Sequence, residues 1–360
     1  MARRALVSCF LFLIAGSGVY AQEVRVGVLG LFHPREITLS SAEGEAVVVT
    51  AGDNVFVLEP GARAAIARIE VSEPGLLLEC SGRFARAGEI HATGRGGHSG
   101  SFVLGIPGKI SRKYQGTLSI RARQGSVVPI VTMHLETAVA SVVAAEFTSD
   151  ARLEALKAQA IVTRSYFLAG KGRHHDFDFC DATHCQFLRE PPSSDSPAAV
   201  AALATRGLVI AFDGKPVAAM FTRSCGGHTR ASAHANISSG NYPYYSVACD
   251  FCLKSPVHWT RRISEQEAAH LIGKGEAGRL AVDRSLGWNT VPSNNFTARR
   301  EGDTVILDGV GQGHGIGLCQ CGAKGMAEAG ASYREILSHY FPNTTLNLAP
   351  KVAEASTEIR

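Results

Sequence analysis

Apolar and polar residues alternate along the first hundred positions, and then the period changes. Val24, Val26 and Val28 alternate with other residues, and 37–39, 46–50 and 54–58 are short apolar-rich runs separated by Gly and Pro. A two-residue period of this kind predicts short strands in a small all-β module. The glycine-rich stretch 94–101 reads as a connector. Near Tyr114 the texture shifts: a strand pair over 116–122 and 127–134 leads into the apolar stretch 135–145, where Leu135, Val139, Val142 and Val143 recur at helical spacing. A second helix follows Glu146. Ser149 or Asp150 can cap it, Glu154, Leu156, Lys157, Ala158, Gln159 and Ala160 favour it, and Gly170 stops it. Asp213-Gly214, between 208–212 and 216–221, predicts a hairpin turn. Ser332 and Glu335 form a capping box that opens a last helix, closed before Pro342. The expected class is α+β: a β-rich amino-terminal module over 22–113, a mixed α/β domain over 114–346, and a tail over 347–360.

The amino terminus sets the compartment. Arg3 and Arg4 precede an apolar run over 5–15, and Val19-Tyr20-Ala21 resembles a signal-peptidase site. This is the pattern of a secretory signal over 1–21, too short to span a bilayer as a helix. Cys9 sits in a lipoprotein-like box, but the residues before it leave no room for an apolar region. The expected location is therefore the periplasm or the cell surface. No later stretch reaches the ~20 apolar residues of a membrane span. Removing two arginines from a net charge of +4 leaves a nearly neutral chain without a basic block, which argues against nucleic acid as a partner. Eight cysteines remain after the signal, seven of them beyond residue 179 and several beside histidines. That uneven placement suits metal sites as well as disulfides.

Four segments carry recognisable motifs. The first runs from Leu135-Glu136-Thr137-Ala138-Val139 through Glu146 to Glu154-Ala155-Leu156-Lys157-Ala158-Gln159-Ala160 and Arg164-Ser165-Tyr166. The others are Cys180-Asp181-Ala182-Thr183-His184-Cys185-Gln186, Ser224-Cys225-Gly226-Gly227-His228-Thr229, and Gly313-His314-Gly315-Ile316-Gly317-Leu318-Cys319-Gln320-Cys321-Gly322-Ala323. In this order, across about 114–346, they resemble the catalytic domain of stage II sporulation protein D, shared with the amidase enhancers. The resemblance implies a peptidoglycan lytic transglycosylase acting on glycan strands stripped of stem peptides, with Glu146 as acid and base. It also implies an alternative: a non-catalytic wall-binding protein that stimulates an N-acetylmuramoyl-L-alanine amidase. A zinc hydrolase is a third reading.

The chemistry agrees with that choice of Glu146. A glycosidic oxygen needs a proton as it leaves, so the acid must stay protonated near neutral pH, and apolar surroundings raise a carboxyl pKa. Val142, Val143, Ala144, Ala145 and Phe147 flank Glu146. Most glycosidases use two carboxylates; a lytic transglycosylase manages with one, because the sugar's own 6-hydroxyl attacks. The competing structural reading pairs Glu146 with Lys157 or Arg164, while Glu136 and Glu154 are the rival carboxylates. Arg164, Tyr166, Gln186, Ser224, His314 and Gln320, all within the motifs, are the expected glycan contacts.

His174, Cys180, His184 and Cys185 supply the ligand count of a closed tetrahedral zinc site, as in similar family members. With no open position for water the metal is expected to be structural, and this weakens the zinc-hydrolase reading. A Cys180–Cys185 disulfide is the alternative, and His175 can replace His174. Gly309, Gly311, Gly313, Gly315 and Gly317 form a ladder in which no register gives a nucleotide-binding G-x-G-x-x-G. Glycine at every second position suits a backbone that a sugar approaches closely, with His314 projecting from it. Cys225, Cys249 and Cys252 with Cys319 or Cys321 suit either disulfides or a second metal site.

Overall fold

The computed structural model of the chain describes residues 22–42, 44–61, 66–147, 150–172, 174–232, 240–271 and 290–349. The signal expected over 1–21 and the end of the tail, 350–360, lie outside the described residues, as does Ser149. With 40% strand and 24% helix, the class is α+β.

The alternating segments form strands β1 (Glu23–Gly27), β2 (Glu36–Ser41), β3 (Val47–Ala51), β4 (Asn54–Leu58), β5 (Ala67–Ser72), β6 (Gly75–Cys80), β7 (Arg83–Ala87), β8 (Glu89–Gly94), β9 (Gly100–Ile106), β10 (Ile110–Arg123) and β11 (Ser126–His134). Strand β10 is the hinge of this assembly. Its first half pairs with β9, which continues through β2, β5 and β6 to β7. Its second half pairs with β11 on one side and β8 on the other. β1 adds to β11, and β12 (Phe179–Cys180) joins β1 in parallel. The position at which the expected domains divide, 113/114, thus falls inside one unbroken strand. Sequence alone does not reveal this, because the strand changes partners without changing direction.

β11 runs directly into α1 (Leu135–Glu146), where Nδ1 of His134 accepts from the Glu136 amide. Leu135, Val139, Val142 and Val143 are all buried, and each contributes about 1.5–3 kcal/mol of hydrophobic burial. They belong to one apolar core that is continuous from the β-rich half into the helices. α2 (Leu153–Ala169) is capped by Arg152 without a side-chain bond and stops at Gly170. Asp150, an expected cap, instead pairs with Lys324 at 2.7 Å.

Beyond α3 (Pro197–Ala204), β13 (Leu208–Phe212) and β14 (Lys215–Pro216) make the expected hairpin, with positive φ at Asp213 and Gly214. The expected capping box of Ser332 and Glu335 is formed. Residues 345–348 form a strand on β13, past the expected boundary at 346. The strands 258–264, 296–301 and 304–310 form an antiparallel sheet with 304–310 in the middle and a small core of its own around Trp259, Ile263, Phe296 and Leu307.

Candidate active site

Glu146 is the last residue of α1 and faces an open cleft of about 350 Å³. Tyr166 of α2, Gln186, Arg223, His314 and Gln320 line the same cleft. The carboxylate accepts from the Phe187 amide at 3.3 Å and from the side chain of Gln320. Burial outweighs these bonds and the nearby Arg223 and Arg189 charges, and the pKa is pushed up to about 7. A carboxyl group held there is divided between its two protonation states near neutral pH, as an acid that later becomes a base requires.

Among the described residues no other carboxylate lines the cleft. Glu136 is engaged by Arg164 at 2.6 and 2.8 Å. Glu154 pairs with Lys157 at 2.6 Å and accepts from the Tyr333 amide. The two cations that could have neutralised Glu146 are therefore committed elsewhere. Asp181 is buried against Arg112 at 3.0 Å and the Leu29 amide, away from the cleft.

Two expected contacts do not reach the cleft. Arg164 is wholly buried and also donates to the carbonyls of Ala202 and Leu208, joining α1, α2, α3 and β13. Its charge faces Glu136 because the chain returns there, a pairing 28 residues long that no helical spacing encodes. Ser224 is buried, pairs with Gln312 as an isolated bridge, and sets its hydroxyl 3.5 Å from the Cys252 sulfur. Two arginines beside Glu146 had not been expected. Arg223 donates to the Glu146 carbonyl at 3.3 Å, and Arg189 stacks on Phe187 with its guanidinium carbon 3.3 Å from the ring centroid. Their adjacency to the Ser224 and Gln186 motifs was the available signal.

Gln186 is 3% exposed, and among the described residues neither its amide oxygen nor its nitrogen has a partner. Buried amides cost free energy when unpaired, so this one stands ready for a polar group entering the cleft. The glycine ladder also serves packing within the protein. Gly311, Gly313, Gly315 and Gly317 all have positive φ. A Cβ at Gly311 would lie 2.7 Å from the Ser224 carbonyl oxygen, and one at Gly313 would lie 2.6 Å from Thr222 Oγ1. Gly311, Gly313 and Gly317 let this segment pack on 220–224, and Gly313 also lines the cleft.

On the rim, His174, Cys180, His184 and Cys185 bring one ligand atom each within 4.8 Å of one another and could hold a metal ion. His174 Nε2 is 3.3 Å from Cys185 Sγ, and His184 Nδ1 is 3.5 Å from Cys185 Sγ and 3.8 Å from Cys180 Sγ. The hydrogen bond from Cys185, then that from His184, pulls the Cys180 thiol well below its ordinary value. His175 turns outward to Asp176, and the histidine that stands in the cluster is His174.

Residues 123–212, which carry Glu146 and this Cys/His set, match the family model described as stage II sporulation protein. This segment is thus similar to the stage II sporulation protein D family. An uncharacterized protein of Brachyspira hyodysenteriae is 28% identical over 262 residues, covering 64% of this chain and 71% of its own. Stage II sporulation protein D of Bacillus amyloliquefaciens is 28% identical over 258 residues, 60% of this chain and 74% of its own. The amidase enhancer of Bacillus subtilis is 24% identical over 281 residues, 56% of this chain and 39% of its own. Proteins of the family are linked to cell-wall remodelling. Among the described residues no helix is long and apolar enough to cross a membrane.

Proposed function

We propose that the protein is an exported lytic transglycosylase that cleaves peptidoglycan glycan strands, with Glu146 as its single acid and base. The observation that carries this reading is a lone carboxyl group in the cleft, held near neutral pKa by burial. The protonated Glu146 gives its proton to the glycosidic oxygen of a muramyl unit as the C–O bond breaks. The same carboxylate then takes the proton of that sugar's 6-hydroxyl, whose oxygen closes onto the anomeric carbon. No water is consumed, so no second carboxylate is required.

Arg223 and Arg189 flank the site with positive charge, which favours an anionic Glu146 after the first transfer. The unpaired amide of Gln186 is suited to a sugar hydroxyl or acetamido group, and Tyr166 and His314 complete the glycan contacts. Zinc held by His174, Cys180, His184 and Cys185 would be structural, since four protein ligands leave no site for water. It would fix the loop that ends in Gln186 and Phe187.

The likeness to an amidase enhancer favours a second reading, in which the cleft binds glycan without cutting it and an amidase is the partner. Digestion of purified glycan strands in heavy-oxygen water, without other wall enzymes, separates the two. Anhydro-muramyl ends lacking label support the transglycosylase, and labelled reducing ends refute it in favour of hydrolysis. Intact strands, together with stimulation of an added amidase, leave the enhancer.

A further inference from the structure

Cys225, Cys249, Cys252 and Cys319 come from three separate stretches of chain and bring their four sulfurs within 4.8 Å of one another. All are buried, at 4%, 1%, 1% and 0% exposure. Cys225 follows the short strand Phe221–Thr222, Cys249 and Cys252 bracket the start of the helix Asp250–Lys254, and Cys319 caps the helix Gln320–Glu328. We propose that these four cysteines form a second metal site, a closed tetrathiolate centre for zinc(II), distinct from the Cys/His cluster and built to hold one wall of the cleft.

The arrangement has the dimensions of such a centre. Four sulfurs at about 2.3 Å from a tetrahedral zinc ion lie about 3.8 Å from each other. The sulfurs of Cys252 and Cys319 are 3.6 Å apart. Cys249-x-x-Cys252 has the spacing of a zinc knuckle. Backbone and hydroxyl donors reach two of the sulfurs. Cys319 Sγ receives the amides of Cys225 and Gly322, each at 3.4 Å, and Cys249 Sγ receives the Tyr340 hydroxyl at 3.3 Å. Outer bonds of this kind orient and stabilise metal thiolates. Gly322 is part of the cradle, since a Cβ there would lie 2.5 Å from Cys249 Sγ. Four mutually close sulfurs cannot all ionise without a cation between them. Cys321 stands outside the cluster of four sulfurs and donates its amide to the Arg223 carbonyl, so Cys319 is the fourth ligand.

The location gives the site its role. Cys319 immediately precedes Gln320, which bonds Glu146, and Cys225 lies two residues after Arg223, which bonds the Glu146 carbonyl. One ion would therefore fix the two side chains that approach Glu146 from across the cleft. This holds whether Glu146 cuts glycan or the cleft only binds it.

Metal analysis of the purified mature chain by mass spectrometry is the test, with an expected content of about two zinc ions, one for each four-ligand set. Cys252→Ser should hold one, the conservative Cys252→His should hold two, and His184→Ala should lose only the other ion. Cobalt loading of His184→Ala should give the sulfur-to-metal charge-transfer bands of a tetrathiolate site. If Cys252→Ser does not fold, the wild-type count and thiol accessibility still decide: all four thiols should resist alkylation until a chelator is added. One ion in the wild type with disulfides among these four cysteines in non-reducing peptide maps overturns the proposal, as does an unchanged ion count in soluble Cys252→Ser.

Discussion

The last residue of α1 and the first residue of the helix Gln320–Glu328 meet side chain to side chain, Glu146 with Gln320. The amide of Gln320 also donates to Gln159 at 3.4 Å, and Gln159 donates to Thr163 at 3.2 Å. This buried polar chain fixes which end of Gln320 faces the carboxylate. The negative end of the α1 dipole and burial favour the protonated acid, while Gln320 favours the anion.

Removing that bond should therefore raise the Glu146 pKa further. We expect Gln320→Leu to move the alkaline limb of the kcat/KM profile upward by about one pH unit, comparable to one hydrogen bond to a charged group. A limb that stays in place or moves down would show that Gln320 does not bear on the proton of Glu146.

Arg164 should be a stability residue. Replacing it with Met strands the Glu136 carboxylate and leaves the carbonyls of Ala202 and Leu208 unpaired, at a cost of about 3–5 kcal/mol. Adding Glu136→Gln should restore part of that loss. Denaturant unfolding of the single and double variants measures both effects. An undiminished stability accompanied by a raised KM would return Arg164 to the glycan.

For the Cys/His cluster, His184→Ala should release its metal and lower the melting temperature, because the binding free energy of a structural ion is folding free energy. His175→Ala should keep both metal and stability, since His175 faces Asp176 and solvent. Metal analysis and thermal scans with and without chelator distinguish them. Loss of metal from His175→Ala, or a Cys180–Cys185 bridge in the mature protein, contradicts the ligand set.

Features encoded within a few residues were legible in the sequence. The hairpin at Asp213-Gly214, the capping box of Ser332 and Glu335, and the two helices flanking Glu146 each depend on local spacing and appear in the structure. What escaped depends on long-range return of the chain. Arg164 looked like a ligand because its partner, Glu136, sits on another helix. The packing role of the glycine ladder was hidden because the 220–224 segment that crowds it lies about ninety positions away. Strand β10 hid the continuity of the sheet for the same reason: its pattern reports burial, not which neighbours do the burying.

Glu146→Gln should separate catalysis from structure in one variant. The folded-state pKa of about 7 lies above the ordinary value of 4.5, so the folded protein holds this proton more tightly than the unfolded chain. The stability tied to that proton is fully present below pH 4.5 and is lost as the pH rises through about 7. Gln keeps the shape and has no proton to lose. The two proteins should therefore be about equally stable at about pH 4, and the variant should be more stable above about pH 7, by up to about 3 kcal/mol. Glycan cleavage should meanwhile fall by about 10²–10⁴-fold, the usual contribution of a general acid. A residue kept for structure would behave in the opposite way, losing stability with little change in rate. Denaturant unfolding at about pH 4 and about pH 8, beside release of anhydro-muramyl products from purified strands, reads both quantities. Wild-type turnover by Glu146→Gln would remove Glu146 from the mechanism, and lower stability on the alkaline side would mean that its carboxylate is held by partners rather than strained by burial.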